Sequence, residues 1–343
     1  VKTVQEPHAP LTGPALPAGR GDLSHGVVRA LRSDPGDEIR LPSRGAADEA
    51  DPYGEDLHLA LYLCYELHYR GFHDVDSAWE WNPGLLGLRA GLERRFLDAL
   101  RADTGRGTGR GTGLEDAFAG ILVEPVEAGG LSGRLRDEGE LWQLREYAAQ
   151  RSLYHLKEAD PHAWVIPRLR GRAKAAMVAV EFDEFGAGQA ARMHSRLFAD
   201  LMRDLDLDTT YGRYVDVATA EMLAIVNLMS VFGLHRALRG ALVGHFAAVE
   251  VTSSPASRRL AEAMRRTGAG EAAVHFYAEH VEADAVHEQV VRRDVVGGLL
   301  EEEPWLEADV AFGIHATDLL DARLAEKTLT AWHDGRTSLR GPL

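Results

Sequence analysis

Two imidazoles and a carboxylate fall within eight positions near the C-terminal third of the chain: His280, Asp284 and His287, set as H-x-x-x-D-x-x-H inside EAAVHFYAEHVEADAVHEQVV. At about 100° per residue, offsets of four and seven return to nearly the same azimuth, so on a helix all three project from one stripe. Neutral imidazole and ionised carboxylate suit iron, whereas thiolates would favour zinc or iron–sulfur chemistry. The stripe is half of a candidate iron site; taken alone, it reads equally well as a solvated helix face.

The other half has to come from elsewhere in the chain. Glu158 stands in QRSLYHLKEADPHAW at the end of a helical pattern, with Asp160 and Pro161 placed to cap and start the next helix. Glu184 stands in VAVEFDEFGAGQAARMH, with His194 ten residues on. Ten helical steps rotate by about 1000°, so Glu184 and His194 leave one another's face unless the backbone is perturbed. Gly186 and Gly188 lie between them and permit such an irregularity. Together the six residues supply three carboxylates and three imidazoles, enough for two irons with a bridging carboxylate and open positions for dioxygen and substrate. Glu181, close to the face of Glu184, is a candidate extra ligand or a carboxylate standing behind the ligands. Asp183 points elsewhere and reads as a surface acid or hydrogen-bond acceptor. His155 and His162 read as surface or hydrogen-bonded residues, and His275 falls on a different face from His280.

The elements that must position these groups read as helices almost throughout, so the predicted fold class is all-α. Residues 1–50 are rich in Pro, Gly and Ser and read as a loosely ordered leader, 51–330 as one helical domain, and 331–343 as a tail. EDLHLALYLCYELHYRGF is the first core helix, and Glu66 and His68 within it are structural or pocket-lining. Further helices are expected at roughly 83–102, 114–121, 137–157, 161–184, 190–204, 213–238, 240–251, 255–265, 269–298 and 307–328. The glycine-rich stretch 105–113 in RADTGRGTGRGTG has no strand before it and no Walker lysine after it, so it is a linker and not a phosphate cradle.

A chain of 343 residues with 45% hydrophobic and 27% charged content can bury a sizeable core. Its formal charge of −15 argues against nucleic-acid or anionic-membrane surfaces and leaves a small organic molecule as the expected partner. The single cysteine, Cys64, excludes an intramolecular disulfide and a Cys-rich metal cage; it reads as buried and inert, and a reducing cytoplasm fits. The apolar stretch MLAIVNLMSVFGLHRALRGALVGHFAAVEV is interrupted by Asn227, Ser230, His235, Arg236 and Arg239, so it reads as a buried helix pair rather than a bilayer span. Arg236 either reaches solvent or anchors a substrate carboxylate, and Tyr154 and Phe276 are candidates for the walls of a substrate pocket.

The order Glu, then Glu-x9-His, then H-x3-D-x2-H, in an all-helical chain, resembles the heme-oxygenase-like diiron oxidases and oxygenases, or iron-containing redox enzymes. SLYHLKEADPHAWVIPRLRGRAKAAM, EFDEFGAGQAARMHSRLF and GLHRALRGALVGHFAAVE resemble that family too, over about residues 55–325. The resemblance implies a heme-oxygenase-like helical bundle with extra N-terminal helices and without heme as the working cofactor. It matches Glu158, Glu184 and His194 to ligands on the earlier core helices, and His280, Asp284 and His287 to those on the third. It also implies two irons per chain cycling between Fe(II) and Fe(III), O2 as cosubstrate, and a small, commonly amine-bearing substrate. The outcomes it implies include N-oxygenation, as in biosynthetic pathways, and oxidative C–C cleavage. No flavin or iron–sulfur motif is present, so electrons come from an external donor. Competing readings are a heme-binding or cofactor-independent oxidase, with His68 as the candidate axial ligand, and a noncatalytic iron-binding protein. Pairing into a homodimer is left open.

Overall fold

Leu, Ala and Glu dominate the helix-forming segments, and their apolar residues close over one another from many directions. The computed structural model describes residues 13–37, 41–105, 113–122 and 130–343, apart from the side chains of Arg44 and of 282–286. No strand occurs among the described residues. The predicted glycine-rich linker lies, but for its ends, outside them.

In chain order the helices are α1 (Asp22–Leu31), α2 (Arg44–Glu49), α3 (Glu55–Glu66), α4 (Pro83–Gly105), α5 (Leu114–Leu122), α6 (Gly130–Glu138), α7 (Leu141–His155) and α8 (Asp160–Ala163). They continue with α9 (Gly171–Glu184), α10 (His194–Asp204), α11 (Ala220–Leu234), α12 (Arg239–Thr267), α13 (Glu271–Val290), α14 (Gly297–Glu302) and α15 (Glu307–His333). A π-helical turn, Val291–Val296, joins α13 to α14.

α11 is apolar on every side and buried on nearly every residue, which makes it the central rod. Two of its polar side chains donate within the core: Asn227 to the His58 carbonyl at 2.8 Å, and Ser230 to the Val226 carbonyl at 3.1 Å. α12 packs along both α13 and α15. Against α15 the approach is backbone to backbone, since a Cβ on Gly244 would stand 2.0 Å from the Val310 carbonyl oxygen and one on Gly313 would stand 2.0 Å from that of Ala241. No single described helix is long and apolar enough to cross a membrane; α11 and the segment Arg236–Thr267 reach that length together but are bent by 106°.

Several sequence expectations change. The leader is helical at α1, where Leu23, Val27, Val28, Ala30 and Leu31 are buried and pack against α3. The tail is pinned, because buried Ser338 donates from both its backbone N–H and its hydroxyl to Glu146 at 2.8 and 2.7 Å. The single helix expected over 161–184 is broken: Pro167 lacks an N–H to donate, and Gly171 takes φ +45°. Conversely, the two helices expected over 240–265 are one, because α12 runs on through Pro255.

Candidate metal centre

The break between Glu184 and His194 decides the geometry of the site. α9 ends at Glu184, and Gly186, Ala187 and Gly188 all take positive φ (72°, 51° and 79°). Two short 3₁₀ turns follow before α10 begins at His194. Gly186 is required for close approach as well as for its φ, since a Cβ there would stand 2.6 Å from the Met193 nitrogen. The detour brings His194 Nδ1 to 2.7 Å from Glu184 Oε2, without a directed hydrogen bond between them.

Five of the six predicted ligands gather in this region, with one residue that the sequence reading passed over. Glu158, Glu184, His194 and His280 each offer a donor atom within 4.8 Å of the others', and all four are buried. Glu184, Glu250 and His287 form a second buried group of the same kind. Glu184 belongs to both. His287 Nδ1 is 3.8 Å from Glu184 Oε1 and 3.2 Å from Glu250 Oε2, while its Nε2 is 3.3 Å from Asp183 Oδ2. Asp183 is thus half-exposed and placed as a hydrogen-bond acceptor, as expected. Asp284 lies on α13 between His280 and His287, but its side chain is outside the described residues.

Glu250 comes from α12, from the apolar stretch whose interruptions were read as Asn227, Ser230, His235, Arg236 and Arg239. The signal available was an acid in an otherwise apolar helical run, which a soluble core tolerates only with a partner.

The groups behind the donors fix their orientation. His155 Nδ1 lies 2.8 Å from Glu158 Oε1, and Oε2 of the same carboxylate is buried with no hydrogen-bond partner. Burial alone would raise the Glu158 carboxyl, but His155 and His280 outweigh it and hold it well below its ordinary range. The Phe276 carbonyl accepts from His280 Nδ1 at 2.8 Å, which leaves Nε2 as that ring's lone-pair nitrogen, 3.7 Å from Glu158 Oε1. The residue before Glu158 is anchored from behind: Lys157 Nζ pairs with Glu66 Oε2 at 2.9 Å, both fully buried, and Tyr211 donates to Glu66 Oε1 at 2.7 Å. Glu181 is buried with neither oxygen hydrogen-bonded and lies outside both donor groups; burial, then Glu184 and Glu250, push its carboxyl well above the ordinary range. His162 is buried rather than at the surface, with its Nε2 unpartnered and its ring 5.2 Å from that of His245; burial pulls its pKa down to about 4.

Two spaces adjoin this centre. A void of about 20 Å³ is lined by Glu158, Glu184, Glu250 and His280, room for one water-sized sphere. A cavity of about 370 Å³ shares Tyr154, Glu158, Val249, Ser253 and His280 with it, so these five form the partition between a small compartment and a chamber of ligand size. Tyr154 and Phe276 both line the chamber. Arg236 does not: it is exposed in a 3₁₀ turn after the bend that ends α11 and borders neither space. Arg239 pairs with Glu303 (Nε–Oε2 3.0 Å). His68 is held at Nδ1 by Glu80 (3.0 Å) and at Nε2 by Arg89 (2.6 Å) and lines neither space, which removes the candidate axial ligand of the heme reading.

A family model described as iron-containing redox enzyme matches residues 145–322, just over half of the chain. The chain belongs to that family. The matched segment runs from within α7 into α15 and contains every donor of both groups, and α1–α6 are additions N-terminal to it on the heme-oxygenase-like bundle. No curated protein matches the chain closely enough to add to this. The donor set of this iron-containing redox enzyme suits iron: imidazoles and carboxylates without thiolate, a buried Glu158 oxygen lacking a partner, and donor atoms gathered within 4.8 Å of one another.

Proposed function

We propose that the protein is a nonheme diiron oxidase or oxygenase that uses O2 to oxidise a small amine or amino-acid-like molecule, by N-oxygenation or oxidative C–C cleavage. The observation that carries this reading is Glu184, the one side chain common to two buried donor groups, which a pair of cations would share. In this reading Glu158, His194 and His280 would hold one iron, Glu250 and His287, with Asp284 as the sequence suggests, would hold the other, and Glu184 would serve both. Bound there, two ferrous ions would supply electrons and open coordination positions for reducing O2, and an external donor restores them.

The chain's own groups set the conditions for that chemistry. His155 occupies one oxygen of Glu158 and leaves the other, buried, without a hydrogen-bond partner. The Phe276 carbonyl keeps the His280 proton on Nδ1, away from the site. Tyr154 stands in the wall between compartment and chamber and Phe276 lines the chamber side, and burial, then Glu158 and Glu184, hold the Tyr154 phenol well above its ordinary range, so it stays protonated.

Anaerobic titration with Fe(II), followed by O2 with and without candidate amines, tests the reading. Two irons per chain, and a visible absorption change on O2 addition that decays faster with substrate, are the expected results. Glu184→Ala should lose both irons with helix content unchanged. Slow ferric accumulation without organic product would replace the proposal with iron storage, and retained turnover in Glu184→Ala would refute the ligand assignment.

A further inference from the structure

The chamber has a second polar feature, away from the donor groups. Along α7, Tyr147, Arg151, Tyr154 and His155 line the chamber, and Glu158 follows beyond the helix end. These offsets of four, seven and eight place them on one face. Arg151 commits one donor, from Nη2 to Asp321 Oδ1 at 3.2 Å, while its Nε is buried without a partner. Tyr277 also lines the chamber, is 3% exposed, and has a hydroxyl without a hydrogen-bond partner. The hydroxyls of Tyr147 and Tyr277 are within electrostatic reach of the Arg151 guanidinium. An unpartnered, buried Nε–H on a partly buried guanidinium and an unpartnered buried phenol are costly unless an acceptor arrives, and a carboxylate matches the planar fork.

We infer that Arg151 and Tyr277 form a carboxylate-binding subsite in the chamber, so that the substrate carries a carboxylate at the end remote from its oxidised group. Arg151 lies one helical turn, about 6 Å of rise, before His155, and Glu158 follows three residues later. A molecule whose carboxylate sits on Arg151 therefore presents a group some 6–10 Å away to the partition formed by Glu158 and His280. Asp321 keeps its bond to Nη2, and the incoming carboxylate takes the remaining donors. The substrate's orientation follows: acid end on α7, reacting end at the donor groups. Naming this chamber the substrate site rests on the function proposed above, but the subsite itself is readable without iron.

The probes are 6-aminohexanoate and its neutral counterpart 6-aminohexanamide, titrated calorimetrically into the metal-free protein. The wild type should bind the carboxylate about tenfold more tightly than the amide, as expected for charge-assisted hydrogen bonds. Arg151→Met should abolish that preference, Arg151→Lys should weaken it, and Tyr277→Phe should reduce it severalfold, with helix content unchanged. Equal affinity for the two probes, absence of binding by either, or a preference undiminished in Tyr277→Phe and Arg151→Lys would overturn the subsite. If Arg151→Met does not fold, the last two variants decide. A carboxylate preference in a protein that takes up no iron would sink the diiron reading and leave the subsite standing; iron uptake with no preference would do the reverse.

Discussion

Replacing Lys157 by methionine tests whether the turn that carries Glu158 is held by a buried charge pair. Lys157 Nζ and Glu66 Oε2 are 2.9 Å apart, with side chains 1% and 0% exposed, so removing the ammonium strands a carboxylate in the core. Breaking such a pair from one side costs about 3–5 kcal/mol. Tyr211 still donates to Glu66 Oε1 at 2.7 Å, which places the loss near the lower end, about 3 kcal/mol. For a chain of this size that is roughly a 4 °C fall in melting temperature. Adding Glu66→Gln removes the stranded charge while keeping an acceptor for Tyr211, so the double variant should return to within about 1 kcal/mol of the wild type. Urea denaturation followed by circular dichroism gives the four corners of the cycle. Iron affinity of the single variant, measured alongside, should fall because Glu158 is the next residue. A single-variant loss under about 1 kcal/mol, or a double variant as unstable as the two singles added, would refute the anchoring argument.

Three further outcomes follow from the geometry. Gly186→Ala forces a left-handed residue and sets a methyl 2.6 Å from the Met193 nitrogen, so it should cost about 2–3 kcal/mol by denaturant melting and weaken iron binding through displacement of His194; wild-type stability would show that the detour tolerates a side chain. Glu250→Ala should leave one iron bound and remove the other, counted by metal analysis of the desalted protein; two retained irons would exclude Glu250 as a ligand. Acid should destabilise the fold through His58, which burial holds neutral with its pKa lowered from 6.5 to about 3. The unfolded chain takes up that proton first, so this contribution is intact above pH 6.5 and is lost as pH falls from there towards 3. It amounts to roughly 5 kcal/mol across the window, and His58→Gln should flatten the decline in a pH series of melts.

The donors on α13 were legible because a helix repeats every 3.6 residues, and His280 and His287 do face the site. Glu184 and His194 were legible only as a pair needing a broken helix, and the glycines between them supply the break. Glu250 was not legible: no spacing on its own helix links it to another ligand, and its role comes from the packing of α12 against α13. Arg236 stays open in the sequence for a related reason. A guanidinium in an apolar run points to a bend as readily as to a pocket, and only the 106° turn after α11 decides between them. Arg151 was passed over because a charged residue on a polar-looking helix face carries no mark of the chamber that α15 encloses from the other side. The N-terminal helix α1 was hidden by flanking Pro and Gly, although its Leu and Val spacing is amphipathic.

The contact of α12 with α15 through Gly244 and Gly313 has a bearing on how the chamber can vary. With no side chains between the two backbones, neither rod can slide or roll past the other, so the height of Thr317 and Asp321 relative to His245 is set as on a ruled scale. Evolution or design can then retune what fits by exchanging side chains along these rods, but not by shifting the rods themselves. Alanine at either crossing point would push them apart and change the gauge of the chamber before it changed any group that touches the guest.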